Sequence, residues 1–318
     1  MQSTLQQPLV SAKLPQGLRQ SLLLPATVTR PVTVPGISKS VWSRDERVSN
    51  QGLSLGASTV PLQWAIDLRP CKGLAGLGLV KVAKRARVIF FDLGETLVTQ
   101  NIEDSMVTRK ALREIGKILP KRVSPETLFR LYMKGYKTND AIRSEYDVEI
   151  PIQAWMRRLL KRVTDKEPTD QLLETSINII VKARAANTVA FEDANDTLRK
   201  LSRRTVKLGV ISNVSSHEVA LGILDKVRLA RYFDLVVTSA ETGIRKPDPG
   251  IFRYALYQLN IGPEEAIMVG DSERHDIQGG YIAGLRTVLV NRKKPPDESL
   301  ADYRFKTLGD AIPTLQSL

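Results

Sequence analysis

One cysteine, Cys71, stands among 318 residues, so an intrachain disulfide framework is excluded. A chain without disulfides suits a reducing compartment, and a cytoplasmic setting is the expectation. No His or Asp constellation surrounds Cys71, which argues against a nucleophilic thiol. No apolar run approaches the roughly 20 residues of a membrane span, so no membrane partner is expected. The two histidines are His217, expected on a helix surface, and His275, expected at a loop or helix start facing solvent. Acidic residues are scarce in one region only. Residues 1–87 carry 12 Lys and Arg against 3 Asp and Glu, whereas residues 88–318 carry 35 against 31. Most of the net charge of +13 therefore belongs to the leader, and the body is mildly basic. A nucleic-acid partner would rest on that leader alone and is not expected.

Residues 1–86 are rich in Ser, Thr, Pro, Leu and Val and lack sustained periodicity, which predicts disorder. Their basic, Ser-rich, acid-poor composition fits a plastid or mitochondrial transit peptide, which would make the protein organellar. A secretory signal fits worse, because Leu22-Leu23-Leu24 is cut short by Pro25. The alternative is a start placed too far upstream. A natural start near Val80 would leave a short basic run and then the first strand, and it is preferred because the body is complete without the leader. The glycines at 73, 76 and 78 lack both the strand–turn–helix context and the Gly-Lys-Ser/Thr ending of a phosphate loop, so they read as a linker. Lys81, Lys84, Arg85 and Arg87 read as a solvated charge run.

The body opens with Val88-Ile89-Phe90-Phe91, an apolar run of the kind that forms a strand buried on both faces. Asp92 follows at once, then Leu93 and Gly94, where the chain can turn. From 99 to 190 helical signals replace strand signals. Met106, Leu112, Ile115 and Leu119 are spaced for one helix face. Ser124-Pro125 predicts an N-cap with proline at the first helical position. Further helices are predicted around Ile152–Leu160 and from Thr169 onward, with Trp155 in their core. From 191 the chain alternates. Helices near Asp193–Ser202, His217–Leu229, Pro249–Leu259 and Asp276–Ala283 separate strands at Val206–Ile211, Phe233–Thr238, Ala266–Val269 and Thr287–Val290. Residues 291–299 read as a loop, and a terminal helix is expected from Leu308. Such alternation gives a parallel sheet with helices on both faces. The expected architecture is α/β: a Rossmann-like core from 87–98 and 191–318, with an inserted all-helical cap at 99–190.

Chemistry-bearing residues recur at strand ends, where open α/β sheets place their ligands. Val210-Ile211 leads into Ser212-Asn213. The next strand leads into Arg245-Lys246-Pro247-Asp248. Ile267-Met268-Val269 leads into Gly270-Asp271-Ser272-Glu273-Arg274-His275-Asp276. If these strands are parallel, Asp92, Ser212, Lys246, Asp271 and Asp276 converge. Three carboxylates at close range repel unless a cation sits between them, and oxygen ligands beside an anion site suit Mg²⁺. Lys246 and Ser212 supply charge and a hydrogen bond for a phosphoryl group. An aspartate beside the metal can act as a nucleophile.

The order and spacing of these motifs resemble the haloacid dehalogenase superfamily with a helical cap, over residues 88–318. The resemblance implies a hydrolase, most often of phosphate monoesters, that needs Mg²⁺ and takes a small phosphorylated substrate. Asp92 would be nucleophile and metal ligand, and Ser212 and Lys246 would hold the phosphoryl group. Asn213 would line the site. Asp271 would ligate Mg²⁺, with Asp276 supporting the metal or orienting Lys246. One departure stands out. Phosphatases of the family usually carry a second Asp two residues after the nucleophile, as general acid–base, and here that position is Gly94. Glycine retains the backbone carbonyl that the family offers to the metal, but proton transfer loses its donor, worth about 10²–10⁴-fold. Glu95 is the neighbouring candidate. The rivals are a dehalogenase, which would leave Asp271 and Asp276 unexplained, and a catalytically weakened binding protein marked by Gly94.

Overall fold

The computed structural model describes residues 84–293 and 298–318. The leader expectations, with Cys71, the glycines at 73–78 and Lys81, lie outside the described residues, as do positions 294–297.

The run Val88–Phe91 (β1) is a strand with all four side chains buried. It lies between two parallel neighbours, Lys207–Ser212 (β4) and Ala266–Gly270 (β6). Leu235–Thr238 (β5), Arg286–Val290 (β7) and Tyr303–Phe305 (β8) complete a six-stranded parallel sheet of order β5-β4-β1-β6-β7-β8. Alternate residues of β1 point to opposite faces, and both faces are covered. Ile89 and Phe91 pack with Val210, Val269 and Val288 against helices Glu192–Leu201 (α5), His217–Lys226 (α6) and the terminal Leu308–Ser317 (α10). Val88 and Phe90 pack with Met268 against Ile251, Phe252 and Ala255 of Pro249–Leu259 (α8). The order reverses on either side of β1, so the crevice at the carboxyl ends of the strands opens beside it.

Four helices form the cap between β1 and β4: Asp104–Ile118 (α1), Pro125–Tyr146 (α2), Ile152–Thr164 (α3) and Asp170–Asn187 (α4). They own a separate core that includes Leu112, Ile115, Leu128, Trp155, Met156 and Ile177. Ser124 and Thr169 cap α2 and α4 as the sequence predicts, accepting the amides of Thr127 and Leu172. The chain crosses between core and cap through two short strands, Val98–Gln100 (β2) and Thr188–Ala190 (β3), paired antiparallel. The Asn187 amide reinforces the crossing by bonding both the N–H and the carbonyl of Ile102.

Several expectations shift. Met106 faces outward from α1, and Val107 and Ala111 join the buried face with Leu112 and Ile115. The helix from His217 stops at Lys226, short of Leu229, and Arg228 takes a left-handed conformation. The segment expected as Asp276–Ala283 opens earlier, as a wide turn at Glu273–Gln278, and becomes α-helical only at Gly279–Ala283 (α9). Strands β2, β3 and β8 were not expected. Each has three residues, too few for alternation to register. Among the described residues, no helix is long and apolar enough to cross a membrane.

Candidate active site

Each sequence-predicted residue stands at the carboxyl edge of the sheet because a strand ends there. Asp92 follows β1, its amide bonded to the Val269 carbonyl at 2.9 Å, so it is held in line with the strand. Ser212 is the last residue of β4. Lys246 lies on the loop after β5 and the single helical turn Ser239–Thr242 (α7). Asp271 directly follows β6, and Asp276 comes from the wide turn behind it. Gly270 permits that approach, since a Cβ there would lie 2.2 Å from the Asp276 carboxyl carbon.

The centre is the Lys246 ammonium, which is buried. Its Nζ donates to Asp92 Oδ1 at 2.6 Å, Asp276 Oδ1 at 2.6 Å and the Ile211 carbonyl at 2.7 Å. An ammonium has three donors, and all three are used. Asp276 spends its other oxygen on the Ser272 amide at 3.0 Å. Asn213 clamps the same loop: its carbonyl accepts the Lys246 amide and its NH₂ donates to the Lys246 carbonyl, both at 2.9 Å. Its amide is therefore occupied with holding the lysine loop in place.

Asp92, Asp271 and Asp276 offer carboxylate oxygens all within 4.8 Å of one another. Burial pushes the Asp92 carboxyl up to about 7, with Lys246 opposing and Asp276 adding to the rise. Burial likewise raises Asp271 to about 6, reinforced by the Asp276 charge. For Lys246 burial acts against the charged form, but Asp276 and Asp92 outweigh it and hold the ammonium above its ordinary value. A cluster of three acids and one base that cannot comfortably hold its charges fits a divalent cation. An all-oxygen donor set suits Mg²⁺ in particular.

A cleft of about 1100 Å³ opens over this cluster, with Ser212, Gly94 and Glu95 on the core side and Arg184 on the cap side. Glu95 takes a left-handed backbone, φ 55°, and its carboxylate accepts the Thr99 hydroxyl at 3.0 Å. His275 lines the cleft, contrary to the solvent-facing expectation. It is half-buried beside the Ser272 hydroxyl at 3.1 Å, and burial holds its pKa below the usual value. His217 is half-buried as well, with Nδ1 3.0 Å from the Thr238 hydroxyl. Arg184 went unnoticed in the sequence, where it is one of many helical cations. It sits on the last turn of α4 and donates to Asp104 at 3.2 Å.

The profile of the haloacid dehalogenase-like hydrolases matches residues 86–284. Phosphoserine phosphatase of Thermus thermophilus is 28% identical over 265 residues, which span 71% of this chain and 100% of that one. Pyrophosphatase PpaX of Bacillus cereus is 26% identical over 238 residues, 74% of this chain and 98% of its own. Among solved structures, the 2-haloacid dehalogenase of Pseudomonas syringae superposes with a TM-score of 0.56 at 26% identity, over 73% of this chain and 98% of the other. The profile spans β1 through α9, the stretch that supplies every side chain of the cluster, and phosphatases are among the full-length relatives; the chain belongs to the haloacid dehalogenase-like hydrolases and is an enzyme of that family.

Proposed function

We propose that the chain is a Mg²⁺-dependent phosphatase of small phosphorylated metabolites, working through a phosphoryl group carried on Asp92. The observation that carries this is the placement of Lys246 among Asp92, Asp276 and Asp271, which sets an anion subsite beside a cation subsite. A dehalogenase reading, which needs no metal, would leave the pairing of Asp271 with Asp276 unexplained. Relatives named for phosphoserine, pyrophosphate and phosphoglycolate hydrolysis support a small phosphorylated substrate. The single cysteine fits a cytoplasmic enzyme.

Asp92 and Asp271, with the backbone carbonyl of Gly94, would hold the Mg²⁺, and Asp276 would support the metal site through Lys246. Bound there, Mg²⁺ supplies positive charge that keeps the carboxylates ionised and stabilises the phosphoryl oxygens. A carboxylate oxygen of Asp92 attacks phosphorus, the bond from phosphorus to the leaving oxygen breaks, and that oxygen takes a proton from solvent, since Gly94 carries no side-chain donor. Water then attacks phosphorus and the bond to Asp92 breaks; the hydroxyl stays on the phosphate, the second proton of the water passes to solvent, and Asp92 returns as a carboxylate. Lys246 has no spare donor while it holds Asp92, so it turns one N–H to the phosphoryl group as Asp92 engages phosphorus. Ser212 donates its hydroxyl to the same group.

The test is hydrolysis of p-nitrophenyl phosphate and a panel of metabolite phosphates, with Mg²⁺ and with EDTA. Turnover that disappears with EDTA and returns with Mg²⁺ is expected. Turnover of 2-haloacids with none of any phosphate would overturn the phosphatase assignment. A second expectation concerns position 94. A Cβ there meets nothing within 4 Å, so Gly94→Asp is sterically accommodated. It should raise kcat on alkyl phosphates by about tenfold or more, a part of what general acid catalysis contributes, and change little on p-nitrophenyl phosphate. No gain on either substrate would show that Glu95 or another group already delivers the proton.

A further inference from the structure

The cap touches the active-site loops at a second place besides its two crossing strands. The connection between α2 and α3, residues 147–150, lies antiparallel against residues 243–245, with Val148 paired to Ile244. The Glu149 amide donates to the Gly243 carbonyl and the Arg245 amide to the Asp147 carbonyl, both at 2.9 Å. Immediately after, the Ile152 amide donates to the Ser215 carbonyl at 2.7 Å. The cap segment therefore rests on the loop that carries Lys246 and on the loop that follows Ser212.

Glu149 holds this junction together. Its side chain is fully buried and forms ion pairs with Arg143 of α2 at 2.7 Å and with Arg245, the residue before Lys246. It also accepts the Ser239 hydroxyl at 2.6 Å, and that hydroxyl receives the Val214 amide at 2.9 Å. One buried cap carboxylate thus reaches the cap helix, the lysine loop and the serine loop. Buried ion pairs contribute little net stability compared with apolar packing, so stability alone is a poor reason for three charged groups here.

We propose that Glu149 is a positioning residue for Lys246: it draws Arg245 and Ser239 onto the docked cap segment, so that the phosphate-binding side of the site is complete only with this edge of the cap in place. Arg245 is covalently next to Lys246, and the Lys246 backbone is clamped on its far side by Asn213. Removing the carboxylate frees one side of a loop whose lysine must stay within hydrogen-bond reach of three acceptors. Asp92 and Asp271, at the ends of β1 and β6, form no hydrogen bond or ion pair with residues 147–150, and the turn behind β6 touches the junction through the exposed Arg274, 3.4 Å from the Asp147 carboxylate. The activity readout rests on the phosphatase assignment, whereas the exchange readout does not.

The test is Glu149→Gln in the full chain, read by amide hydrogen exchange and by p-nitrophenyl phosphate kinetics well below the melting temperature. Exchange should quicken in both 147–150 and 243–248, with 88–92 and 266–270 unchanged. The kcat should fall about 10–100-fold, as when a residue that orients a metal ligand is lost, and inhibition by inorganic phosphate should weaken. The Mg²⁺ concentration for half-activation should stay as in the wild type. Quickened exchange confined to 147–150, or an unchanged kcat in a destabilised protein, would overturn the proposal. If Glu149→Gln does not fold, Ser239→Ala, which removes one bond of the junction, should show the same pattern at smaller amplitude, and an unchanged pattern overturns it equally. If the wild type hydrolyses no phosphate, the phosphatase assignment fails and hydrogen exchange alone decides on Glu149.

Discussion

Asp92→Asn is expected to lower kcat by about 10⁴-fold or more, while leaving the metal-free protein at least as stable as the wild type at pH 8. The loss follows from removing the group proposed to attack phosphorus, and nucleophile deletions in enzymes cost on this scale. The stability follows from the field around the carboxylate. Burial raises its pKa from 3.8 to about 7, with Asp276 and Asp271 adding to the rise, although Lys246 pulls the other way. The folded state therefore holds a proton on Asp92 that the unfolded state has given up, and stability declines as pH rises from about 4 to about 7. Asparagine is neutral and escapes that decline. Its carbonyl can still accept from Lys246, whose bonds to Asp276 and the Ile211 carbonyl remain. Thermal melts of both proteins with EDTA at pH 5 and pH 8 check this: the variant should gain on the wild type at the higher pH. Saturating Mg²⁺ should reverse the order, because the wild type binds the ion more tightly and gains stability by mass action. A variant that melts lower than the wild type at pH 8 without metal would mean that the Asp92–Lys246 attraction outweighs the burial penalty.

The parts legible in the sequence were those written locally. Val88–Phe91 is apolar on every residue because the strand is covered on both faces, the pattern of a strand inside a parallel sheet. Ser124 and Thr169 announce helix starts because their side chains satisfy amides only three residues away. The site residues were legible for a related reason: in a parallel sheet the residue after each strand is delivered to the same edge, so order along the chain becomes proximity in space. What stayed hidden depends on partners far apart in sequence. Asn213 holds the backbone of Lys246, 33 positions on, and Glu149 meets Arg245, 96 positions on. Asn213 was legible as a residue beside the site but not as the clamp on that backbone, and Glu149 has no local signature, since a lone Glu between two helices reads as solvated. His275 points into the cleft because its turn is wider than an α-helix, which re-aims the side chain by a fraction of a turn that spacing alone does not show. The crossing strands β2 and β3 are fixed by pairing with each other across the whole cap.

Lys246→Met should both unfold more readily and lose turnover, and the two losses should respond differently to pH. The side chain is of similar length, so the packing around its stem survives, but the ammonium that serves Asp92, Asp276 and the Ile211 carbonyl is gone. Removing one partner of a buried ion pair typically costs about 3–5 kcal/mol, because the remaining charge stays buried without compensation. Lys246 is also the group that lowers the Asp92 pKa against burial, so in the variant that pKa rises beyond about 7. A carboxyl whose folded pKa is raised is stabilised by protonation, so the stability deficit should be smallest near pH 5 and largest near pH 8. Chemical denaturation across that range, with EDTA, measures it; a deficit independent of pH would mean that the ammonium does not govern the ionisation of Asp92. Mg²⁺ should recover part of the stability at pH 8, since it neutralises the same carboxylates. It should not recover turnover, which is expected to stay down about 10²–10³-fold or more, the cost of losing one stabilising donor to the phosphoryl oxygens. Lys246→Arg should not rescue either property. A planar guanidinium cannot direct three donors to three acceptors around one nitrogen, and the ammonium is buried against Asp92, Asp276 and the end of β4, a fit that the larger head disturbs.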